Sequence, residues 1–333
     1  MLKKIRKKLL ISIALAGLLY LGFTIYAEID QLIIAFKKFN WLFIPLILLL
    51  TLFNYFARFL KWQYYLSLLV VKIKLSDSIL IFFSGFVMSI TPGKMGELLK
   101  SYLVKEVTNT PVSKTAPIIL LERLTDFVSL IIIAIAGAYY FEFGKEISVG
   151  VGIVFLLVII ILGNRKLALP IIKFLERFKI LHKHIESFHN AYDSSYKMLR
   201  FKPLILMLLL STAAWFFECL GYHIILSNFG VELGLFWASF AYAFSTVVGA
   251  ITMLPGGLGA TEGSLTFLVV HEGFTKEIAV ASTFIIRVVT LWFAVLIGVI
   301  SVTFYQIKFG KIPIEPASQS LSADRQDETS NKL

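Results

Sequence analysis

The sequence predicts an all-α, polytopic helical membrane protein, with about six full spans plus two re-entrant broken helices forming an inverted-topology repeat. Three observations carry that expectation. Hydrophobic residues fill 58% of the 333 positions and charged residues only 16%, with a mean hydropathy of +0.82, more apolar character than a soluble core absorbs. The apolar residues are gathered in runs of about the 20 residues that a helix needs to cross hydrocarbon. Two of those runs are interrupted by the same Pro-Gly-x-x-Gly pattern, at Pro92 and again at Pro255.

The chain begins MLKKIRKKLL and continues ISIALAGLLYLGFTIYA. The basic flank is that of a secretion signal, but the apolar stretch is too long for one and no small-x-small cleavage site follows. It reads as a retained first span over about 9–27. Further apolar runs follow at about 41–66, 79–104 (interrupted), 117–140, 148–163, 203–228, 235–270 (interrupted) and 278–306. Between the fifth and sixth runs, Leu169, Ile172, Phe174, Leu175, Phe178, Leu181, Ile185 and Phe188 trace a helical stripe through a basic segment. This predicts an amphipathic cytoplasmic surface helix over about 166–200, drawn to an anionic leaflet. Residues 307–333 have no apolar periodicity and read as a disordered cytoplasmic tail. The expected organisation is one membrane domain, 1–306, with repeat halves of about 41–140 and 203–306.

Orientation follows from the loop cations. With the N-terminus inside, cytoplasmic segments hold 22 of the 32 Lys and Arg, external segments hold 4 (Lys37, Lys38, Lys145, Lys276), and 6 lie in or near apolar runs. Both termini are thus expected in the cytoplasm of a multi-pass protein of the cell (plasma) membrane.

The second half mirrors the first. Pro92-Gly93-x-x-Gly96 recurs as Pro255-Gly256-x-x-Gly259, 163 positions later; "ERLTDFVSLIIIAIAG" from 122 lies over "IRVVTLWFAVLIGVIS" from 286; and "RFLKWQYYLSLL" from 58 lies over "ECLGYHIILSNF" from 218. Lysines flank the first break and mainly acids flank the second, with an odd number of crossings between them, so the two are expected to enter from opposite sides. Many alternating-access transporters are built on that plan.

A Pro-Gly break facing lipid strands backbone polar groups, so breaks survive where protein or a wet cavity encloses them. Half-helices starting near Met95 and near residues 258–260 would turn free N–H groups toward the midplane and favour an anion such as a phosphate. Charged residues within spans need partners or water. Glu122 and Asp126 share a helical face beside Arg123; with Lys94, Glu97, Glu262 and Arg287 they form a polar set following the breaks, and Arg58 and Glu218 are positioned for a cross-half pair. Plainer readings stay open. The breaks fit helix kinks, the Glu122–Arg123–Asp126 set fits a structural ion-pair network, Arg58 and Lys61 fit snorkelling side chains, and Glu262 fits a first-turn acid favoured by the helix dipole.

The net charge of +11 does not indicate nucleic acid, because the basic residues flank apolar runs and form no stripe interleaved with aromatics. The one cysteine, Cys219, excludes an intramolecular disulfide. His182, His184 and His189 lack metal-ligand spacing, and no nucleotide-binding or nucleophile-elbow motif is present. No metal, cofactor or catalytic residue is expected.

"PGKMGE" at 92–97, "ERLTD" at 122–126 and "LPGGLGATEG" at 254–263 resemble the flippase-like family named after the transmembrane region of lysylphosphatidylglycerol synthase, over about residues 5–306. The resemblance implies an integral membrane protein with re-entrant helices, associated in its best-known members with moving an aminoacylated phospholipid to the outer leaflet. Those members carry a soluble aminoacyl-transferase domain after the membrane region; here a short polar tail follows, so the synthase activity is not carried over. The family's positions fall on Pro92, Gly93, Gly96, Glu97, Glu122, Arg123, Asp126, Pro255, Gly256, Gly257, Gly259 and Glu262. The expected function is a non-enzymatic lipid flippase or transporter. Substrate contacts are expected from those residues together with Lys94 and Arg287, and the partners are membrane lipids that are anionic or phosphate-bearing, with room for a homo-oligomer and a separate lipid-modifying enzyme. The alternatives are a secondary transporter of a small anion, a membrane-embedded transferase acting on lipid-linked substrates, and an accessory scaffold.

Overall fold

The computed structural model describes residues 17–19, 21–23, 25–91, 96–138, 145–176 and 185–310. Every regular element among them is helical. In chain order they are α1 (Ile29–Lys38), α2 (Ile44–Leu68), α3 (Leu75–Ser84), α4 (Leu99–Thr108), α5 (Val112–Ala138), α6 (Lys145–Gly163), α7 (Arg165–Glu176), α8 (Ile185–Met198), α9 (Phe201–Asn228), α10 (Leu235–Ile251), α11 (Ala260–His271), α12 (Lys276–Arg287) and α13 (Phe293–Phe309). Most of the expected first span, the first break's tip and the segment after 310 lie outside the described residues.

Three continuous helical stretches are long and apolar enough to cross a bilayer: Trp41–Leu68 and Phe201–Asn228, of 28 residues each, and Lys276–Phe309, of 34. At 1.5 Å per residue even the shorter ones reach about 42 Å, more than the roughly 30 Å hydrocarbon thickness. The 27-residue α5 matches them in length, but Glu122, Arg123 and Asp126 lie along it, so it must turn a charged stripe toward protein.

The most extensive helix pairing is that of α2 with α9. Asn40 starts this pairing: its Oδ1 accepts from Leu42 N at 3.1 Å, capping the 3-10 turn that leads into α2, and its own N–H donates to Asn228 Oδ1 at 2.8 Å at the far end of α9. Pro45 in the first turn of α2 uses a position whose N–H has no intrahelical partner. Midway, Asn54 Nδ2 donates to Ala214 O at 2.8 Å, which locks the register.

Around this pair the packing crosses over. α3, the limb before the first break, packs on α13, the helix after the second break; α10, the limb before the second break, packs on α5, the helix after the first. Glycines permit both approaches. A Cβ on Gly298 of α13 would stand 2.2 Å from Val87 N, and one on Gly137 of α5 would stand 2.5 Å from Phe240 Cβ, so each contact is closer than any other residue allows.

The basic segment expected as a single surface helix is described as α7 and α8, with 177–184 outside the described residues. α8 packs on α5 and α6 and buries Tyr192 and Met198, so this part of the amphipathic face is covered by the bundle.

Candidate functional site: two broken helices and the cavity beside them

At the first break α3 tightens into a 3-10 turn, Gly85–Met88, and the chain resumes through residues 96–98 into α4. Pro92, Gly93 and Lys94, the predicted tip, lie outside the described residues. Thr91 spans the break: its Oγ1 donates to Met88 O at 2.7 Å and accepts from Gly96 N at 3.0 Å. A Cβ on Gly96 would fall 2.7 Å from Met88 Cβ, which explains that glycine.

At the second break the backbone turns through left-handed conformations at Met253, Gly256, Gly257 and Gly259 (φ 55°, 64°, 68° and 88°). Glycine adopts that region without steric cost, so "PGGLG" encodes the turn. α11 then starts at Ala260, where the sequence places a half-helix, and Glu262 reaches back so that its Oε2 accepts from Gly259 N at 2.8 Å. This is the acidic half of a capping box. The breaks touch: Ile90 and Leu258 share a small apolar cluster with Leu291 and Val295, and Gly256 lies against Ile90.

Each break is tied to an arginine one helix later. Arg123 Nη2 lies 2.8 Å from Glu97 Oε2, and Arg287 Nε lies 2.6 Å from Glu262 Oε1, at sequence separations of 26 and 25. Arg287 Nη2 also donates to Gly256 O at 2.6 Å, satisfying a carbonyl that the turn withdraws from helical bonding. Arg123 Nη1 stands 3.5 Å from Asp126 Oδ2.

Two lysines complete the charges. Lys61, 1% exposed, sits 2.7 Å from Asp126 Oδ1 and 3.0 Å from Thr125 Oγ1 and also bonds Ser211 Oγ. Lys100, 2% exposed, sits 2.5 Å from Glu122 Oε2 and over the ring of Trp62. Lys61 therefore does not snorkel; it holds a carboxylate between α2, α5 and α9. Glu122 and Asp126, expected on one face, are divided between different cations.

A cavity of about 310 Å³ opens beside the breaks. Of the predicted residues, Arg123, Asp126, Gly256, Gly257 and Arg287 line it. Glu97 and Glu262 stand behind the arginines they bind, and Glu122 is directed to Lys100. Arg58 and Glu218 also line the cavity, but the expected pair between them is not formed. Arg58 lies over the Phe86 ring, 5.4 Å from its centroid, and Glu218 Oε2 accepts from Tyr242 Oη at 2.6 Å. Tyr55, Trp215 and Tyr242 add polar edges to an aromatic wall. Tyr55 Oη donates to Thr290 O at 2.7 Å, within a π-helical turn, Val288–Trp292, that directly follows Arg287. Such turns are frequent at functional sites.

The lining changes character toward the outside. Arg287 and Glu218 are 8% and 6% exposed, whereas Leu120, Met253 and Leu254, which also line the cavity, are 59%, 58% and 44% exposed. A charged interior thus opens past an apolar lip.

The sequence reading missed Lys61 and Lys100 as buried ion-pair partners and Tyr55, Trp215 and Tyr242 as wall residues. The lysines had a usable signal, since each lies inside an apolar run where a cation needs a partner. The aromatics had none, because an apolar helix carries many that face lipid.

Comparison with known proteins places the chain among membrane proteins. The family model described as the lysylphosphatidylglycerol synthase TM region matches residues 9–298. A UPF0104 membrane protein of Methanocaldococcus jannaschii is 27% identical over 228 residues, covering 67% of this chain and 94% of that protein. A UPF0104 membrane protein of Pyrococcus horikoshii is 23% identical over 323 residues, covering 88% and 95%, and one of Methanothermobacter thermautotrophicus is 21% identical over 232 residues, covering 63% and 69%. With its long apolar helices and a family match across nearly its whole length, the chain is an integral membrane protein that belongs to the lysylphosphatidylglycerol synthase transmembrane-region family.

Proposed function

We propose that this protein is a lipid flippase or related lipid transporter, in which a phosphate-bearing headgroup enters the polar cavity while its acyl chains remain in the bilayer. The observation that carries the reading is the graded lining: Arg287, Asp126 and Glu218 buried inside, Leu120, Met253 and Leu254 exposed at the mouth. A headgroup needs the first and acyl chains need the second. A carrier of a free anion has no use for an apolar lip on its binding cavity. The carboxylates that a transferase would use as acid and base are each held by a cation: Glu97 by Arg123, Glu122 by Lys100 and Asp126 by Lys61. We therefore assign no covalent step to the protein.

The reading includes an inverted-topology repeat of about 41–140 and 203–306, with about six full spans, two re-entrant segments and both termini cytoplasmic in the cell membrane. The paired Glu–Arg clamps at nearly equal separations and the reciprocal packing of α3 on α13 and α10 on α5 support it. Cysteines introduced at 105–114 and at 271–277 are expected to label from opposite faces of sealed vesicles. Cys219 is buried and leaves a low background. Labelling of both loops from one side removes the repeat.

The activity is tested with purified protein in liposomes carrying fluorescent lipids of differing headgroup. Wild type is expected to move phosphate-bearing lipids faster than protein-free vesicles. Arg123→Gln and Glu262→Gln, compared at equal folded protein, are expected to be about ten-fold slower or worse, because each opens one of the Glu–Arg clamps that hold the breaks beside the cavity. Wild-type vesicles that match empty ones overturn the reading.

A further inference from the structure

We propose that Arg58 and the indole N–H of Trp215 form the phosphate contact of the cavity, and that Arg123 and Arg287 are fixed parts of its wall. This rests on the transport reading and names the contact within it.

Three arginines line the cavity, but their donors are committed differently. Arg123 is held by Glu97 and Asp126. Arg287 spends Nε on Glu262 and Nη2 on the Gly256 carbonyl, so its position is fixed by the second break. Arg58 makes no ion pair and donates no hydrogen bond among the described residues; its guanidinium lies against the Phe86 face. Stacking engages the face of the planar cation and leaves the edge N–H groups, a fork that matches phosphate oxygens, for another acceptor.

The second observation is independent. Trp215 is 5% exposed and lines the same cavity, and its Nε1 has no acceptor among the described residues. A buried N–H without a partner is costly, and here it borders open volume. Tyr55 and Arg58 on α2, and Trp215 and Glu218 on α9, stand three residues apart on paired helices, and all four line the cavity. The open donors of the two helices thus share one space. An acceptor-rich, negatively charged group satisfies both, as a phosphate does.

The test uses the full-length protein in detergent, with binding of dihexanoylphosphatidylglycerol and of inorganic phosphate measured by calorimetry for wild type, Arg58→Gln, Arg58→Lys and Trp215→Phe. The expected result is phosphatidylglycerol binding weakened about ten-fold or more in Arg58→Gln, less in Arg58→Lys, and by a few-fold to about ten-fold in Trp215→Phe, which keeps the ring and loses the N–H. Arg58 makes no ion pair among the described residues, so melting temperatures are expected to stay near wild type. Should Arg58→Gln fail to fold, Arg58→Lys and Trp215→Phe decide the matter by the same criterion. Wild-type affinity in the folded variants, or no binding of either probe by wild type, overturns the proposal. Binding that depends on Arg58, in a protein that moves no lipid in liposomes, upholds the contact and overturns transport. Equal, Arg58-dependent affinity for inorganic phosphate upholds the contact and makes free phosphate the ligand.

Discussion

Arg287→Met is expected to cost about 3–5 kcal/mol of stability, the range for removing one member of a buried ion pair. Glu262 is fully buried, and its Oε1 faces the Arg287 Nε at 2.6 Å. Without the arginine, a buried carboxylate keeps the Gly259 N–H on its other oxygen but loses its counter-charge, and the Gly256 carbonyl loses the Arg287 donor. The turn "PGGLG" would then have an unneutralised acid and a bare carbonyl a few residues apart. Glu262→Gln is the milder change, because the amide oxygen still accepts from Gly259 N and Arg287, which borders the cavity, keeps its bond to the Gly256 carbonyl. The double variant Glu262→Gln/Arg287→Met is expected to recover part of the Arg287→Met loss, as the buried charge is gone. Thermal unfolding of the four proteins in one detergent measures this as a coupling energy. Strict additivity would show that the pair does not hold the second break.

How much of this site could be read from the chain depended on whether a residue's role is local. The second break was legible because its requirement is backbone conformation: three glycines in left-handed φ within four positions, then an acid three residues past the cap, form a pattern confined to 256–262. Arg123 and Arg287 were legible as ionised groups in apolar runs. Their partners were legible in kind, since acids followed each break, but not in pairing. Glu122 and Asp126 are four apart on one helix and look like a unit, yet Lys100 reaches one from α4 and Lys61 reaches the other from α2. Those lysines come from elements 22 and 65 positions away, and no helical period connects them. The cavity was the least legible feature. It depends on how α2, α5, α9 and α10 meet, and its wall residues Tyr55, Trp215 and Tyr242 look like any aromatics in apolar helices. The crossing of α3 onto α13 and α10 onto α5 was likewise hidden, although the glycines that permit it, Gly298 and Gly137, were in plain view among ordinary membrane-helix residues.

Gly298→Ala should therefore be far more damaging than its chemistry suggests. The added methyl would stand 2.2 Å from Val87 N and 2.7 Å from Phe86 C, and both are backbone, so no side chain can rotate away. α13 must separate from the 3-10 turn at Gly85–Met88. Leu291 and Ala294, at and beside the start of α13, line the cavity, so the displacement reaches the site as well as the core. Overpacking of this kind typically costs about 1–3 kcal/mol, and a clash with main chain falls at the upper end. Gly263→Ala is the matched control. It lies within α11, where an added methyl would meet nothing within 4 Å, and alanine there is expected to be neutral or to stabilise by up to about 1 kcal/mol through helix propensity. Melting temperatures of the two variants should move in opposite directions or differ plainly, with lipid movement slowed only in Gly298→Ala. If both melt alike, α13 does not touch the first broken segment as closely as glycine permits. The two breaks would then lose the strut that holds them against one cavity.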